Sequence, residues 1–444
     1  MASPVTRRTL LTTGAAAAGA LLPGVTAYAG RRPNDGVRFT LNAEVLDGGE
    51  QVTSITLHTA RLGPIDPSSL TNDTFTVHAK GTSPIPIDAG DQIFSEYDLD
   101  RPVTAVELDH WGNIVLDLSY GEGQVGGGTL GYIVGKGRNV VLDLAYTITQ
   151  NSPIALRNRR SITIARFLQG RLSDSEVDAF SYRISRSGMN YRLYSPRHGR
   201  RSHTAGRGKH PLVLWLHGGG EGGLLPDHYY DNESPLRANR GALGFATQQA
   251  QRIFGGAYVV APQSTSFWIE DGPRFAPLIR EIIGDLLRRY PIDRHRIYVA
   301  GCSNGGYMTM ELTSVYPDLF AAAVPICGVV ESLEPGGPPL LTDAQLKEID
   351  TPTWLVASRD DPVVPPEPNT IHAHDLIPGS LLTLYDHVIW NGYQFNGHWS
   401  WIYVARNDPT INGTHIWQWM ADQRTDRAGS GRTGHDLSAP AGAR

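Results

Sequence analysis

The chain has 444 residues, 40% hydrophobic and 19% charged, with 49 glycines, 30 prolines and a formal net charge of −5. That length accommodates two domains, each with its own core. The mild acidity and the lack of a basic stripe argue against nucleic acid as a partner, and the two cysteines, Cys302 and Cys327, make neither a disulfide scaffold nor a zinc-finger spacing.

Residues 1–29 read as an export leader. Arg7 and Arg8 precede an Ala/Leu stretch, and Ala27-Tyr28-Ala29 forms a small-x-small cleavage site. The expectation is a twin-arginine signal cut after Ala29 and a secreted mature protein. The apolar stretch, broken by Thr, Gly and Pro, is too short and weak for a membrane anchor.

Residues 31–150 read as an all-β unit. Runs such as "VRFTLNAEVL", "QVTSITLHT" and "NVVLDLAYTIT" are rich in Val, Ile, Leu and Thr, several of them alternate apolar with polar, and Gly, Asp, Asn and Pro clusters separate them. Short strands without a convincing helix predict a small sandwich. The glycine run "GEGQVGGGTLGYIVGKGRN" lacks the GxxxxGK[ST] spacing and a following helix, so it is no phosphate loop. Residues 151–175, with Arg157, Arg159 and Arg160, are expected to be a linker.

From 176 to 422 the pattern changes. "PLVLWLHGGG", "AYVVAPQ", "RIYVAGCS", "AAAVPICG" and "TPTWLVASRDDP" carry the short apolar runs of strands buried on both faces of a parallel sheet. Helical stretches such as "RFAPLIREIIGDLLRRY" separate several of them. The expectation is a doubly wound α/β catalytic domain, with a disordered tail over 423–444.

The first motif in this domain is His217-Gly218-Gly219-Gly220 at the end of a strand. Successive glycines let backbone N–H groups approach a substrate oxygen, and with the N–H of Asn304 they would form an oxyanion hole, with Gly219 and Gly220 the expected donors. His217 and Glu221 are read as bracing that loop. Trp268, after "AYVVAPQ", lies at the carboxyl edge of the sheet and is expected, with Trp399, to line a substrate pocket.

Gly301-Cys302-Ser303-Asn304-Gly305 matches G-x-S-x-G between a predicted strand and a predicted helix ended by Pro317. In that turn the glycines remove collisions and Ser303 is held out as a nucleophile. Cys327 ends the next predicted strand, so a Cys302–Cys327 disulfide bracing the turn stands open against two buried thiols.

A serine hydroxyl needs a histidine to take its proton and a carboxylate to fix that histidine's tautomer, in the chain order Ser, Asp, His. Asp360 and Asp361 follow the strand "TWLVAS"; Asp361 is preferred because Pro362 fixes a turn that aims its side chain over the strand ends. Among His372, His374, His387, His398 and His415, the base is assigned to His398 in the loop "FNGHWSW". The "IHAHD" spacing does not make a metal site.

The set "LHGGGEGG", "GCSNGGYMT", "SRDDPVVP" and "NGHWSW" resembles the α/β-hydrolase esterases of the prolyl-oligopeptidase-like type, over roughly residues 175–422. Some members carry an immunoglobulin-like domain ahead of the hydrolase, which the 31–150 segment would match. The resemblance implies a Ser303, Asp361, His398 triad, no metal, no cofactor and hydrolysis of carboxylic esters. Peptidase action is the alternative within the same chemistry. A binding protein on an inactive scaffold is the alternative outside it, which the intact set of nucleophile, acid and base disfavours.

Overall fold

The computed structural model describes residues 36–196, 208–223, 227–332 and 336–425; the expected leader and nearly all of the expected tail lie outside them. In the C-terminal half eight strands form one sheet. In chain order they are β1 (Phe180–Ile184), β2 (Asn190–Tyr194), β3 (His210–Leu216), β4 (Tyr258–Pro262), β5 (Ile292–Cys302), β6 (Ala322–Ile326), β7 (Trp354–Ser358) and β8 (Leu381–Tyr385). Their spatial order is β1-β2-β4-β3-β5-β6-β7-β8. From β4 through β8 every pairing is parallel, while β2 runs antiparallel to both its neighbours.

The continuous apolar runs follow from burial on both faces. Val213 and Trp215 of β3 enter one core, and Leu212, Leu214 and Leu216 enter the other. Helix α1 (Gly272–Arg289) covers the second face with Phe275, Ile279, Ile282, Ile283 and Leu286, spaced three to four residues apart along one stripe. Helix α2 (Asn304–Val315) leaves the end of β5 with nine of its residues buried and packs against β5 and β6. No described helix is long and apolar enough to cross a membrane.

The N-terminal half is built from strands. One sheet runs Phe167–Ser173, Val37–Leu46, Gly49–Leu57, Ile114–Leu118, Val103–Leu108; a second runs Asp143–Gln150, Phe75–Thr82, Tyr97–Arg101. Phe39, Leu41, Ile55, Val77 and Leu116 are buried in one core. The stretch 151–175 is not the expected linker. Ile154 and Leu156 are buried in that core, and Phe167–Ser173 pairs in parallel with the first strand, Val37 opposite Phe167. A strand so placed satisfies the outer hydrogen-bonding edge of Val37–Leu46, which would otherwise be open.

The two halves share buried polar contacts. Glu50, its side chain fully buried, accepts from Thr129 at 2.6 Å and pairs with Arg237. Asp47 takes both a 2.9 Å and a 2.8 Å bond from Arg406, and Arg240 donates to the Val45 carbonyl at 2.6 Å. A cavity of about 420 Å³ lies along this boundary, with Tyr120 and Glu122 on one side and Trp390, Tyr393 and Phe395 on the other.

Candidate active site

Ser303 stands between β5 and α2 at φ 55° and ψ −115°, a conformation that costs a non-glycine residue energy unless its surroundings impose it. The surroundings here are tight. A Cβ on Gly301 would collide with the Gly305 carbonyl, and one on Gly305 with the Leu216 and His217 carbonyls. Only glycine lets the turn close against β3. The first N–H groups of α2, beginning at Asn304, have no carbonyl a turn earlier to bond, so they are available to negative charge beside Ser303.

Asp361 and His398 are brought together from different elements. The Asp361 carboxylate accepts Val363 N and Val364 N through Oδ1, both at 2.8 Å, which leaves Oδ2 to take the His398 Nδ1 proton at 2.8 Å. His398 sits in the short turn Gly397–Trp399, whose start Asn396 caps by accepting from the His398 N–H at 2.9 Å. Burial works against a charged His398 ring, but Cys327 and the Asp361 bond outweigh it and its pKa is raised. With Nδ1 committed to Asp361, Nε2 is the nitrogen left for another partner, and it can accept a proton only when the ring is neutral.

Strand pairing carries Ser303 toward this pair. Its N–H donates to the Ile326 carbonyl at 2.8 Å, and the next residue, Cys327, donates its thiol to the His398 carbonyl at 3.3 Å. Among the described hydrogen bonds none joins the Ser303 hydroxyl to the imidazole, and such bonds often tighten only in the substrate complex. Asp360 turns elsewhere, to Ser358 at 2.5 Å and to the exposed His387 at 2.9 Å. His372, His374 and His415 pair locally with Asp343, Ser380 and the Asn407 carbonyl.

The His217–Glu221 loop faces the turn. His217 is buried and its pKa is lowered to about 4 by that burial; Nδ1 donates to the Gly218 carbonyl at 2.6 Å and Nε2 accepts Ser264 N at 3.0 Å. It holds the loop, as expected. Gly219 lies against Asn304 and Phe267: a Cβ there would stand 2.9 Å from Asn304 Nδ2 and 3.4 Å from the Phe267 ring.

One expectation is corrected, and the open question of the cysteines is answered. Trp268 cannot touch substrate: it is 0% exposed, packs edge-on against Phe275, and donates Nε1 to the His217 carbonyl at 3.1 Å. It braces the His217–Glu221 loop, and the residue beside it, Phe267, is the one that reaches Gly219. Cys302 and Cys327 are both free thiols. The β5–β6 register sets Cys302 opposite Ile326, and Cys327 lies one residue past the strand at φ 39°, turned toward His398. Trp399 is partly exposed and sits between Trp401 and the N-terminal half, 3.6 Å from where a Gly48 Cβ would stand. Cys327, Asp361 and His398 bring ligand-type atoms within 4.8 Å of one another, although Asp361 and His398 already satisfy each other.

Sequence reasoning missed Asn139 and Tyr132 of the N-terminal half, which lie against Gly220. Only the spatial pairing of distant segments discloses them.

Against known proteins, the prolyl oligopeptidase family model matches residues 281–335, which hold β5, the Ser303 turn, α2 and β6. Poly(3-hydroxyalkanoate) depolymerase C of Paucimonas lemoignei is 36% identical over 84 residues, 16% of this chain and 20% of that protein. The chain thus aligns to about a fifth of that relative's length. A crystal structure of a thermostable esterase superposes with a TM-score of 0.68 at 26% identity, covering 87% of this chain and 99% of that one. The fold is that of the α/β-hydrolase esterases, and together these matches support a serine hydrolase.

Proposed function

We propose that the chain is a secreted serine esterase that works through an acyl-enzyme, with an immunoglobulin-like sandwich ahead of the catalytic domain. The observation that carries this reading is Ser303 on a strained, glycine-flanked turn beside the buried Asp361–His398 pair. Ser303 Oγ attacks the ester carbonyl as its proton passes to His398 Nε2. The C–O double bond opens to an oxyanion, which the Asn304 N–H and the Gly219–Gly220 backbone would stabilise. When the tetrahedral intermediate collapses, the ester C–O bond breaks and His398 returns the proton to the leaving alcohol. Water, deprotonated by His398, then adds to the acyl-enzyme and releases the acid. Asp361 keeps the imidazole in the Nδ1–H tautomer and supports its charge throughout.

The depolymerase relative makes polymeric hydroxyalkanoate esters a substrate class to include, and the paired arginines at 7 and 8 support export. A peptidase reading rests on the family match at 281–335. A fluorophosphonate probe should label the wild-type protein, and Ser303→Ala should lose both the label and turnover of p-nitrophenyl esters. A folded wild-type protein that stays unlabelled sinks the proposal. Faster turnover of peptide amides than of esters would favour the peptidase.

A further inference from the structure

The Gly218–Glu221 loop is held from two sides. From the catalytic sheet, Trp268 fixes the His217 carbonyl and Gln263 Nε2 donates to the Glu221 carbonyl at 2.9 Å. From the N-terminal half, Asn139 Nδ2 donates to Glu221 Oε1 at 3.1 Å. The same Nδ2 lies 2.9 Å from where a Gly220 Cβ would stand, and the Tyr132 ring lies 3.7 Å from it. Asn139 therefore fills the space beside Gly220 and bonds the one carboxylate of the loop.

The hairpin that carries Asn139, Leu130–Ile133 paired with Arg138–Val141, is itself pinned to the catalytic domain. Lys136 and Arg138 each reach Asp227 at 3.1 Å, and Val141 N donates to the Tyr229 hydroxyl at 2.7 Å. Its position over the loop is built in at several points. Glu221 is 7% exposed, and a buried carboxyl oxygen deprived of its donor is costly. The Gly218 backbone N–H also faces this carboxylate, and the Asn139 bond ties Glu221, and with it the 3-10 turn Gly219–Glu221, to the N-terminal half.

We infer that Asn139 is a positioning residue for the oxyanion loop, acting through Glu221, so that the N-terminal half completes the framework of the active site. The inference rests on the esterase reading above. Catalysis by backbone donors needs them at about 2.7–3.1 Å from the developing oxyanion, and a misplacement of about 1 Å costs up to roughly 100-fold. The substrate's ground state asks less of those donors than its transition state does. The loss should therefore appear in kcat and hardly in KM.

The test uses the full-length protein, p-nitrophenyl acetate and a fluorophosphonate probe. Asn139→Ala should lower kcat roughly tenfold with KM changed by less than about twofold, while still taking the probe. Glu221→Ala should cause a similar loss, and Asn139→Ala combined with Glu221→Ala should be no worse than the poorer single variant, because both break one linkage. Should Asn139→Ala fail to fold, Asn139→Ser removes the long donor at less cost in packing and should give the same kcat loss. A labelled, folded Asn139 variant with wild-type kcat overturns the inference, as does a double variant whose losses multiply. Wild-type protein that takes no probe overturns the esterase reading first, and this inference with it.

Discussion

Ser303 is held at positive φ by contacts around it, and the adjacent carboxylates Asp361 and Asp360 differ in every partner. Asp361 spends Oδ1 on two backbone N–H groups and Oδ2 on His398; Asp360 faces an exposed histidine. Asp361→Asn should therefore leave the fold intact and lower kcat by roughly 10³- to 10⁴-fold, because an amide favours the wrong imidazole tautomer. Asp360→Asn should cost less than about tenfold, since its partner is solvated. Steady-state kinetics of the two variants separate them, and equal losses would sink the assignment. Glu221 makes a second residue-scale prediction. Burial raises its carboxyl from 4.5 to about 7. For an acid, a raised folded value means the native state keeps a proton that the unfolded chain has released. Stability therefore falls as pH rises through the window from 4.5 to about 7. Glu221→Gln removes that slope, so thermal melts should show the variant gaining up to about 3 kcal/mol on wild type at pH 8. At pH 4 it should gain nothing. An equal gain at both pH values would refute the linkage.

At the scale of the element, the strand-turn-helix around Ser303 is a packing unit whose dimensions only glycine satisfies. A methyl at Gly305 would meet two carbonyl oxygens of the β3 end, neither of which can swing away as a side-chain tip could. Gly305→Ala should destabilise the protein by at least about 1–3 kcal/mol, the usual cost of overpacking. It should also abolish probe labelling at temperatures where the fold survives. Denaturant melts beside labelling would check this, and full labelling in a variant of wild-type stability would refute it. This element was legible in the sequence because each requirement is local: an apolar strand, glycines at fixed offsets, a helix ended by Pro317. Pro362 was the local cue behind the preference for Asp361, and in the structure it is Asp361 that bonds His398. Trp268 was misread because its place at the strand's carboxyl edge does not say which way the ring turns; its N–H finds the His217 carbonyl in the core. Phe167–Ser173 was missed because its burial does not alternate and its partner strand lies about 130 residues earlier in the chain.

Across the whole molecule, the boundary between the halves behaves as interior. Arg237 joins Glu50 of the N-terminal half to Glu233 of the catalytic domain, with the Glu50 side chain fully withdrawn from water. Asn139 reaches Glu221 over 82 positions of sequence. Nothing in the sequence marks such pairs, because a polar residue in a turn-rich strand reads as solvated until the surface opposite it is known. Removing one partner of a buried pair leaves the other charged and desolvated, at a typical cost of 3–5 kcal/mol. Arg237→Met strands Glu50 in this way, while Thr129 alone cannot neutralise it. Differential scanning calorimetry of wild type should give one cooperative transition, since neither half can unfold without exposing the other's buried charges. In Arg237→Met that single transition should move several degrees lower as a unit, taking esterase activity with it. If the variant instead shows an early transition that leaves probe labelling at Ser303 intact, the halves are energetically separate and the coupling argued here is wrong.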